Sequence, residues 1–303
     1  MRKMKKLMGI IAAVILAAAV WDGRLNKVTP PSKDNNLHLS HNSVPMEPGE
    51  LEVHFIDVGN ADAILLISEG KAMLIDAGEN SSGDEVLSYV KSQGVTELQY
   101  AVGTHPHSDH IGGLDTVLYG IPAETLFMPE KEHTTKTYKD VLTAVEETGT
   151  HLTVAEAGNS FQLGSTLLTI LSPDQVWDDL NNNSVVLLAQ NGEDSFIFAG
   201  DAESDAETVM LETGVVPDID VLKIGHHGSN TSSSYRWLRE TMPEYCVITC
   251  GADNDYGHPH KEILSRLNDL SRINDTAVFR SDYNGNITAY SNGSGQIKWE
   301  TEN

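Results

Sequence analysis

The chain has 303 residues, 40% of them hydrophobic, and a formal charge of −24. That length and apolar content allow one large or two ordinary folded domains and exclude a wholly disordered chain. The acidity weighs against nonspecific nucleic-acid binding, which basic contacts to phosphate drive; it leaves room for a local positive centre, because a bound metal pair can be the largest charge in its neighbourhood.

Residues 1–6 hold Arg2, Lys3, Lys5 and Lys6 and no acid. Residues 7–20 are apolar or glycine without interruption. A positive segment followed by a short apolar one is the pattern of an export signal, and Ala17-Ala18-Ala19 offers a small-residue cleavage site. The alternative is an uncleaved anchor with Trp21 at the membrane interface, although the run is short of the roughly 17–25 residues of a spanning helix. Residues 1–21 are therefore expected to be a signal peptide or an N-terminal membrane anchor that engages the membrane during export. The protein is expected outside the cytoplasm, secreted or tethered. Residues 22–49, with Pro30-Pro31, Asn35-Asn36, Pro45 and Pro48-Gly49, read as a flexible linker. The folded domain is expected over 50–303.

Within it, 51–58 predicts a strand, and 63–68 and 71–75 predict two more around a Glu69-Gly70 turn. Residues 82–92 predict a helix stopped by Gly94. A short buried strand over 99–103 delivers Thr104-His105-Pro106-His107-Ser108-Asp109-His110-Ile111-Gly112-Gly113 at its carboxyl end. A helix begins near 113, a strand spans 123–128, and an amphipathic helix covers 135–147. Strands follow over 151–155, 165–171, 184–190 and 194–199. A helix over 202–212, a strand over 221–225, a helix over 233–240, a strand over 245–249 and a helix over 261–268 come next. Strands over 277–280, 286–290 and 295–299 close the chain. Two runs of strands with intervening helices suggest two packed sheets with helices outside. The two cysteines, Cys246 and Cys250, fall on one strand face about 13 Å apart, too far for a disulfide; buried thiols are the expectation.

Three imidazoles and a carboxylate fall between His105 and His110. Neutral imidazole and carboxylate oxygen are the ligands of hydrolytic zinc, manganese or iron sites. Other acid or imidazole groups follow apolar strands in the same way: Asp76 after 72–75, Asp201 after 196–200, His226-His227-Gly228-Ser229 after 221–224, and His258-Pro259-His260 after a strand and loop. Strand carboxyl ends are where strand-and-helix scaffolds build sites. His54, His133 and His151 read instead as structural or exposed.

The motif His105-x-His107-x-Asp109-His110 resembles the signature of the metallo-β-lactamase superfamily. The segments His54-Phe55-Ile56-Asp57-Val58-Gly59-Asn60-Ala61-Asp62-Ala63, Asn183-Ser184-Val185-Val186-Leu187, Gly200-Asp201, Lys223 to Ser229 and Tyr256-Gly257-His258-Pro259-His260 narrow the resemblance. They point to the branch containing the extracytoplasmic hydrolase-like domain of the competence protein ComEC. The resemblance covers about 51–291. It implies an α/β fold, an αββα four-layer sandwich, with two divalent metal ions at one edge of the sheets, zinc expected and manganese the alternative. It implies His105 and His107 on the first metal, Asp109 and His110 on the second, and Asp201 bridging. His226 or His227 completes the second site, with His227 preferred. Asp76 is expected to orient the His motif, and Asp57 is grouped with it in a supporting role. Asp109, His226 and His258 are the candidates for moving protons, and Ser229, Asn230, His260 and Asn183 for holding substrate; Ser229 and Asn230 read equally well as a turn and cap before Ser233.

Two departures stand out. Many members place a further histidine where this chain has Asn181-Asn182-Asn183-Ser184, so the first metal is expected to be held more weakly. The branch often has Gly-Gln-Gly-Asp where this chain has Gly59-Asn60-Ala61-Asp62. The expected function is an exported metal-dependent phosphodiesterase acting on a small-molecule or polymer phosphodiester. A single-strand nuclease or lactonase of the same fold is the alternative, and a surface binding protein with a structural metal is the alternative of another class.

Overall fold

The computed structural model describes residues 48–214 and 216–303. The expected signal or anchor, and all but the last two residues of the expected linker, lie outside the described residues. Of those two, Gly49 is tied down: its carbonyl accepts from Asn191 Nδ2 at 2.8 Å. No helix among the described residues is long and apolar enough to cross a membrane.

Among the described residues, fifteen strands form two sheets. In chain order they are β1 Leu51–Phe55, β2 Ile64–Ser68, β3 Lys71–Ile75, β4 Leu98–Val102, β5 Ala123–Met128, β6 His151–Val154, β7 Ser160–Leu163, β8 Thr166–Ser172, β9 Val186–Asn191, β10 Asp194–Phe198, β11 Val221–Lys223, β12 Tyr245–Ile248, β13 Ala277–Arg280, β14 Ile287–Ser291 and β15 Lys298–Thr301. One sheet runs β15-β14-β1-β2-β3-β4-β5-β6 and the other β13-β12-β11-β10-β9-β8-β7. Both are mixed: β3 to β6 pair in parallel, as do β10 to β13, and the remaining pairs are antiparallel.

The helices are α1 Gly83–Ser92, α2 Ser108–Ile111, α3 Leu114–Gly120, α4 Lys136–Thr148, α5 Ser204–Glu212, α6 Tyr235–Thr241, α7 Lys261–Asn274 and α8 Ser281–Asn284. The central strands read as near-continuous apolar runs because both of their faces are buried. On β2 and β3, Leu65 and Leu74 pack beneath Val86 and Val90 of α1 and Val117 of α3. On the second sheet, Ile197, Leu222 and Cys246 pack with Ala206 of α5, Trp237 of α6 and Leu267 of α7. The inner faces meet through rings: Phe55 lies 6.2 Å from Phe198, and Tyr100 4.7 Å from Phe161, between centroids. Two sheets packed face to face and flanked by helices are the expected αββα sandwich.

The expected elements differ from the observed ones mainly at their ends. β1 stops at Phe55 instead of residue 58, because residues 57–62 turn into the site. β7 and the one-turn helices α2 and α8 were not expected. α7 runs past the expected residue 268 to Asn274 because Leu270 continues the buried stripe of Ile263 and Leu267.

Candidate metal centre

The parallel strands β3, β4 and β10 to β12 bring their carboxyl ends to one edge, and the loops leaving them carry the site. Asp76 follows β3 with a left-handed φ of 57°. Its Oδ1 accepts the Thr104 backbone N–H at 2.8 Å, and its Oδ2 accepts the Thr104 hydroxyl at 2.6 Å. The same Oδ2 lies 2.8 Å from His110 Nδ1. One buried carboxylate thus fixes both the start of the His motif and the ring at its end. The paired glycines of the motif have a steric cause. A Cβ on Gly113 would stand 2.3 Å from the Ala77 carbonyl oxygen, so only glycine lets this turn lie against the Asp76–Gly78 turn.

Two ligand groups share Asp201. Asp109, His110, Asp201 and His227 each offer one donor atom within 4.8 Å of the others, and so do His105, His107 and Asp201. In the first group, Asp201 Oδ2 lies 3.2 Å from His110 Nε2, Asp201 Oδ1 3.6 Å from His227 Nε2, and Asp109 Oδ2 3.5 Å from His227 Nε2. In the second, His105 Nε2 and His107 Nδ1 are 2.9 Å apart, and His105 Nε2 is 3.8 Å from Asp201 Oδ2.

His110 Nε2, His227 Nε2 and Asp201 Oδ1 are buried and make no hydrogen bond. Buried polar atoms are otherwise costly to leave unpaired. Three of them converging, two imidazole nitrogens and a carboxylate oxygen, fit divalent cations, whose binding takes the place of any proton on the rings. The other nitrogen of each ring is held: His227 Nδ1 donates to the Thr249 carbonyl at 2.9 Å, and His105 Nδ1 lies 3.3 Å from the Ser184 and Thr104 hydroxyls.

Burial drives the His105 pKa well below its ordinary value, keeping the ring neutral. For His110 burial acts in the same direction, but Asp201 and Asp76 outweigh it and hold the pKa well above. Burial pushes Asp109 upward, yet the neighbouring His227 and His110 rings outweigh it and hold it below the carboxylate range.

The neighbouring histidines divide by orientation. His226 and His227 both take left-handed backbone, with φ of 52° at each. His227 is buried and turns its Nε2 into the cluster. His226 is half-buried, with Nδ1 3.5 Å from Glu203 Oε1 and 3.3 Å from the Thr231 hydroxyl, and Nε2 3.6 Å from Asp201 Oδ2. Burial lowers its pKa, but Glu203 and Asp201 prevail and leave it raised. His258 faces the same cleft, of about 270 Å³, which Asn60, Glu79, His107, Asp109 and Tyr256 also line. Burial, His227 and His226 push His258 down to about 4.

Other candidates sit elsewhere. Asn183 does not face the cleft: its Oδ1 accepts the Trp177 N–H at 3.0 Å, its Nδ2 donates to the Trp177 carbonyl at 3.1 Å, and the side chain closes the 177–183 loop. Asp57 accepts the Gly59 N–H at 3.2 Å and orders its own turn. Ser229 is buried, with its hydroxyl 3.0 Å from that of Thr231. Asn230 is exposed, and its N–H donates to His260 Nδ1 at 3.0 Å. His260 Nε2 donates to the Tyr256 carbonyl at 3.2 Å, so both of its nitrogens are used between loops. These residues form a turn and its braces. His54 is structural, with Nδ1 3.2 Å from both Tyr89 and Thr288 hydroxyls. In the departing loop, the left-handed residue is Gly59, φ 79°, and Ala61 is buried in ordinary backbone.

Sequence reasoning missed four participants. Ser184, at the end of the 181–184 segment, braces the cluster: its hydroxyl accepts the Asp201 N–H at 3.0 Å and lies 3.3 Å from His105 Nδ1. Asp62 is buried behind His110 and His227, 3.8 Å and 3.5 Å from their Nδ1 atoms, and pairs with the fully buried Lys223. Glu203 braces His226. The signal for Lys223 was present, since a lysine inside an apolar strand needs a buried partner.

Residues 56–248 match the family model described as Metallo-beta-lactamase superfamily. The chain is 31% identical over 234 residues to Recombination protein 2 of Haemophilus influenzae, covering 75% of this chain and 28% of that one. It is 30% identical over 264 residues to ComE operon protein 3 of Bacillus subtilis, covering 80% and 33%. The chain therefore spans a third or less of the length of these relatives. In fold it is similar to the metallo-beta-lactamase fold protein YhfI of Bacillus subtilis, with a TM-score of 0.52, 12% identity, and coverage of 83% of this chain and 100% of that one. Fold, ligand pattern and family match agree: the chain belongs to the metallo-β-lactamase superfamily, in the branch of the competence proteins.

Proposed function

We propose that this protein is an exported, zinc- or manganese-dependent phosphodiesterase acting on a small phosphodiester or a polymer end. The observation that carries the reading is Asp201, one buried carboxylate shared by two histidine-rich ligand groups that open on a cleft. A metal pair held there supplies an activated water and neutralises charge on the attacked group. His226, braced by Glu203 and facing the cleft, is placed to give a proton to the leaving oxygen. His258, pushed toward its neutral form, holds the substrate's oxygen by a hydrogen bond. Asp109 and His227 keep the second ligand group in register.

No lysine or arginine is among the residues lining the cleft, and the chain is strongly acidic. That supports a substrate with one phosphate in the site over a long polyanion. The name of the relative Recombination protein 2 favours a second reading, a nuclease on single strands. Hydrolysis of bis(p-nitrophenyl) phosphate, single-stranded DNA, RNA, phosphorylcholine esters, lactones and β-lactams, under zinc and under manganese, separates these readings. If metal-loaded protein cleaves none of them, or His107→Ala and Asp201→Ala match wild type, the enzyme reading fails and a structural metal replaces it.

A further inference from the structure

Tyr256 is 70% exposed although it lines the cleft. An exposed tyrosine alone is common. This one is held from several sides. One face of its ring lies on the His258 imidazole, 5.6 Å between centroids and 20° between planes. His258 in turn lies on His227 at 6.3 Å and 26°. A column of near-parallel rings thus runs from the buried ligand group to the cleft mouth.

The loop carrying the outermost ring is fixed by side chains. Asn254 Oδ1 accepts the His258 N–H at 2.9 Å, and its Nδ2 donates to the Gly251 carbonyl at 2.8 Å and the His258 carbonyl at 2.6 Å. His260 clamps the Tyr256 carbonyl at 3.2 Å. An aromatic ring pre-set in this way binds another ring at low entropic cost. With no lysine or arginine lining the cleft, stacking is the sequence-tolerant source of affinity that remains beyond the scissile phosphate.

We infer that Tyr256 is a stacking platform that selects phosphodiesters carrying a planar ring of nucleobase size beside the scissile phosphate; this rests on the phosphodiesterase reading. The test uses the full metal-loaded chain and three p-nitrophenyl phosphodiesters that share a leaving group and differ on the other side: thymidine 5′, choline and methyl. In wild type the thymidine ester is preferred over the methyl ester about tenfold in kcat/KM. Tyr256→Ala abolishes that preference through KM, and Tyr256→Phe keeps it. An unchanged thymidine-to-methyl ratio in Tyr256→Ala overturns the inference, because a ring that merely supported His258 would affect both esters alike. Preference for the choline ester, lost in Tyr256→Ala, also overturns it in favour of a cation site.

Calorimetric binding of thymidine 5′-monophosphate and of methyl phosphate separates this inference from the catalytic reading. Tighter binding of the nucleotide that Tyr256→Ala removes supports the platform even where no ester is cleaved. Equal binding of the nucleotide by wild type and Tyr256→Ala overturns it even where esters are cleaved.

Discussion

The ammonium of Lys223 is buried against the carboxylate of Asp62, immediately behind His110 and His227 of the candidate metal centre. Lys223 Nζ also donates to the Gly200 carbonyl at 3.1 Å, next to Asp201. Burial pushes Asp62 upward, but Lys223, His227 and His110 outweigh it and hold the acid ionised. Removing one partner leaves a buried charge unpaired, which costs about 3–5 kcal/mol. Lys223→Met is expected to lose about that much stability in urea denaturation, with metal removed by chelator. The double variant Asp62→Asn/Lys223→Met recovers part of the loss. An unchanged denaturation midpoint in Lys223→Met would show that the pair contributes nothing.

Asp201 belongs to both ligand groups, so Asp201→Ala is expected to lower the content of both ions. Elemental analysis after gel filtration checks this, against two ions per chain expected for wild type. The two sites are also unequal. One group offers four donors and the other three, and the 181–184 segment holds no histidine to add to the smaller group. During dialysis against chelator the His105/His107 side is expected to empty first. Loss of both ions at one rate would contradict that asymmetry.

The adjacent histidines predict opposite phenotypes. His227→Ala removes a buried donor and is expected to reduce metal content along with activity. His226→Ala is expected to keep wild-type metal content and lower kcat about 10²–10³-fold, in the range of a lost general acid. Paired elemental analysis and kinetics decide between the assignments; a matching metal loss in both variants would reverse them.

Glu207 of α5 gives a pH dependence outside the metal centre. Its carboxylate accepts the N–H groups of Ser233 and Ser234, the latter at 3.0 Å, and so fixes the loop after His227. Burial lifts its pKa to about 7 against these bonds and the Arg266 charge. An acid whose folded pKa is raised favours the folded state fully below its unfolded pKa and loses that contribution as pH rises through the folded value. Wild type is therefore expected to gain stability relative to Glu207→Gln as pH falls from about 7.5 to about 5. Melting temperatures of the two proteins across that range test the sign; a wild type that loses stability relative to Glu207→Gln as pH falls refutes it.

Strand positions were legible because buried strands spell continuous apolar runs and their ends are marked by Asp, His and Gly. The cluster able to hold metal was legible for a related reason: imidazoles and acids at strand ends have few structural uses. Side-chain direction was not. Asn183 and Asp57 sit in motif-like segments, yet their hydrogen bonds close local turns. His260 has the chemistry of a site residue, and its two nitrogens brace two loops. Asp62 and Lys223 lie 161 residues apart in sequence (223 − 62) and meet only when the two sheets pack.

The sequence by itself determined the sandwich, the edge that carries the chemistry and the residues able to hold metal, because each follows from burial patterns and donor types along the chain. Only the tertiary structure decided that His227 and not His226 turns into the cluster, that Ser184 braces Asp201 and His105, and that Tyr256 stands as a ring at the cleft mouth. Those outcomes depend on backbone dihedrals and on contacts between distant strands, which the order of residues does not display.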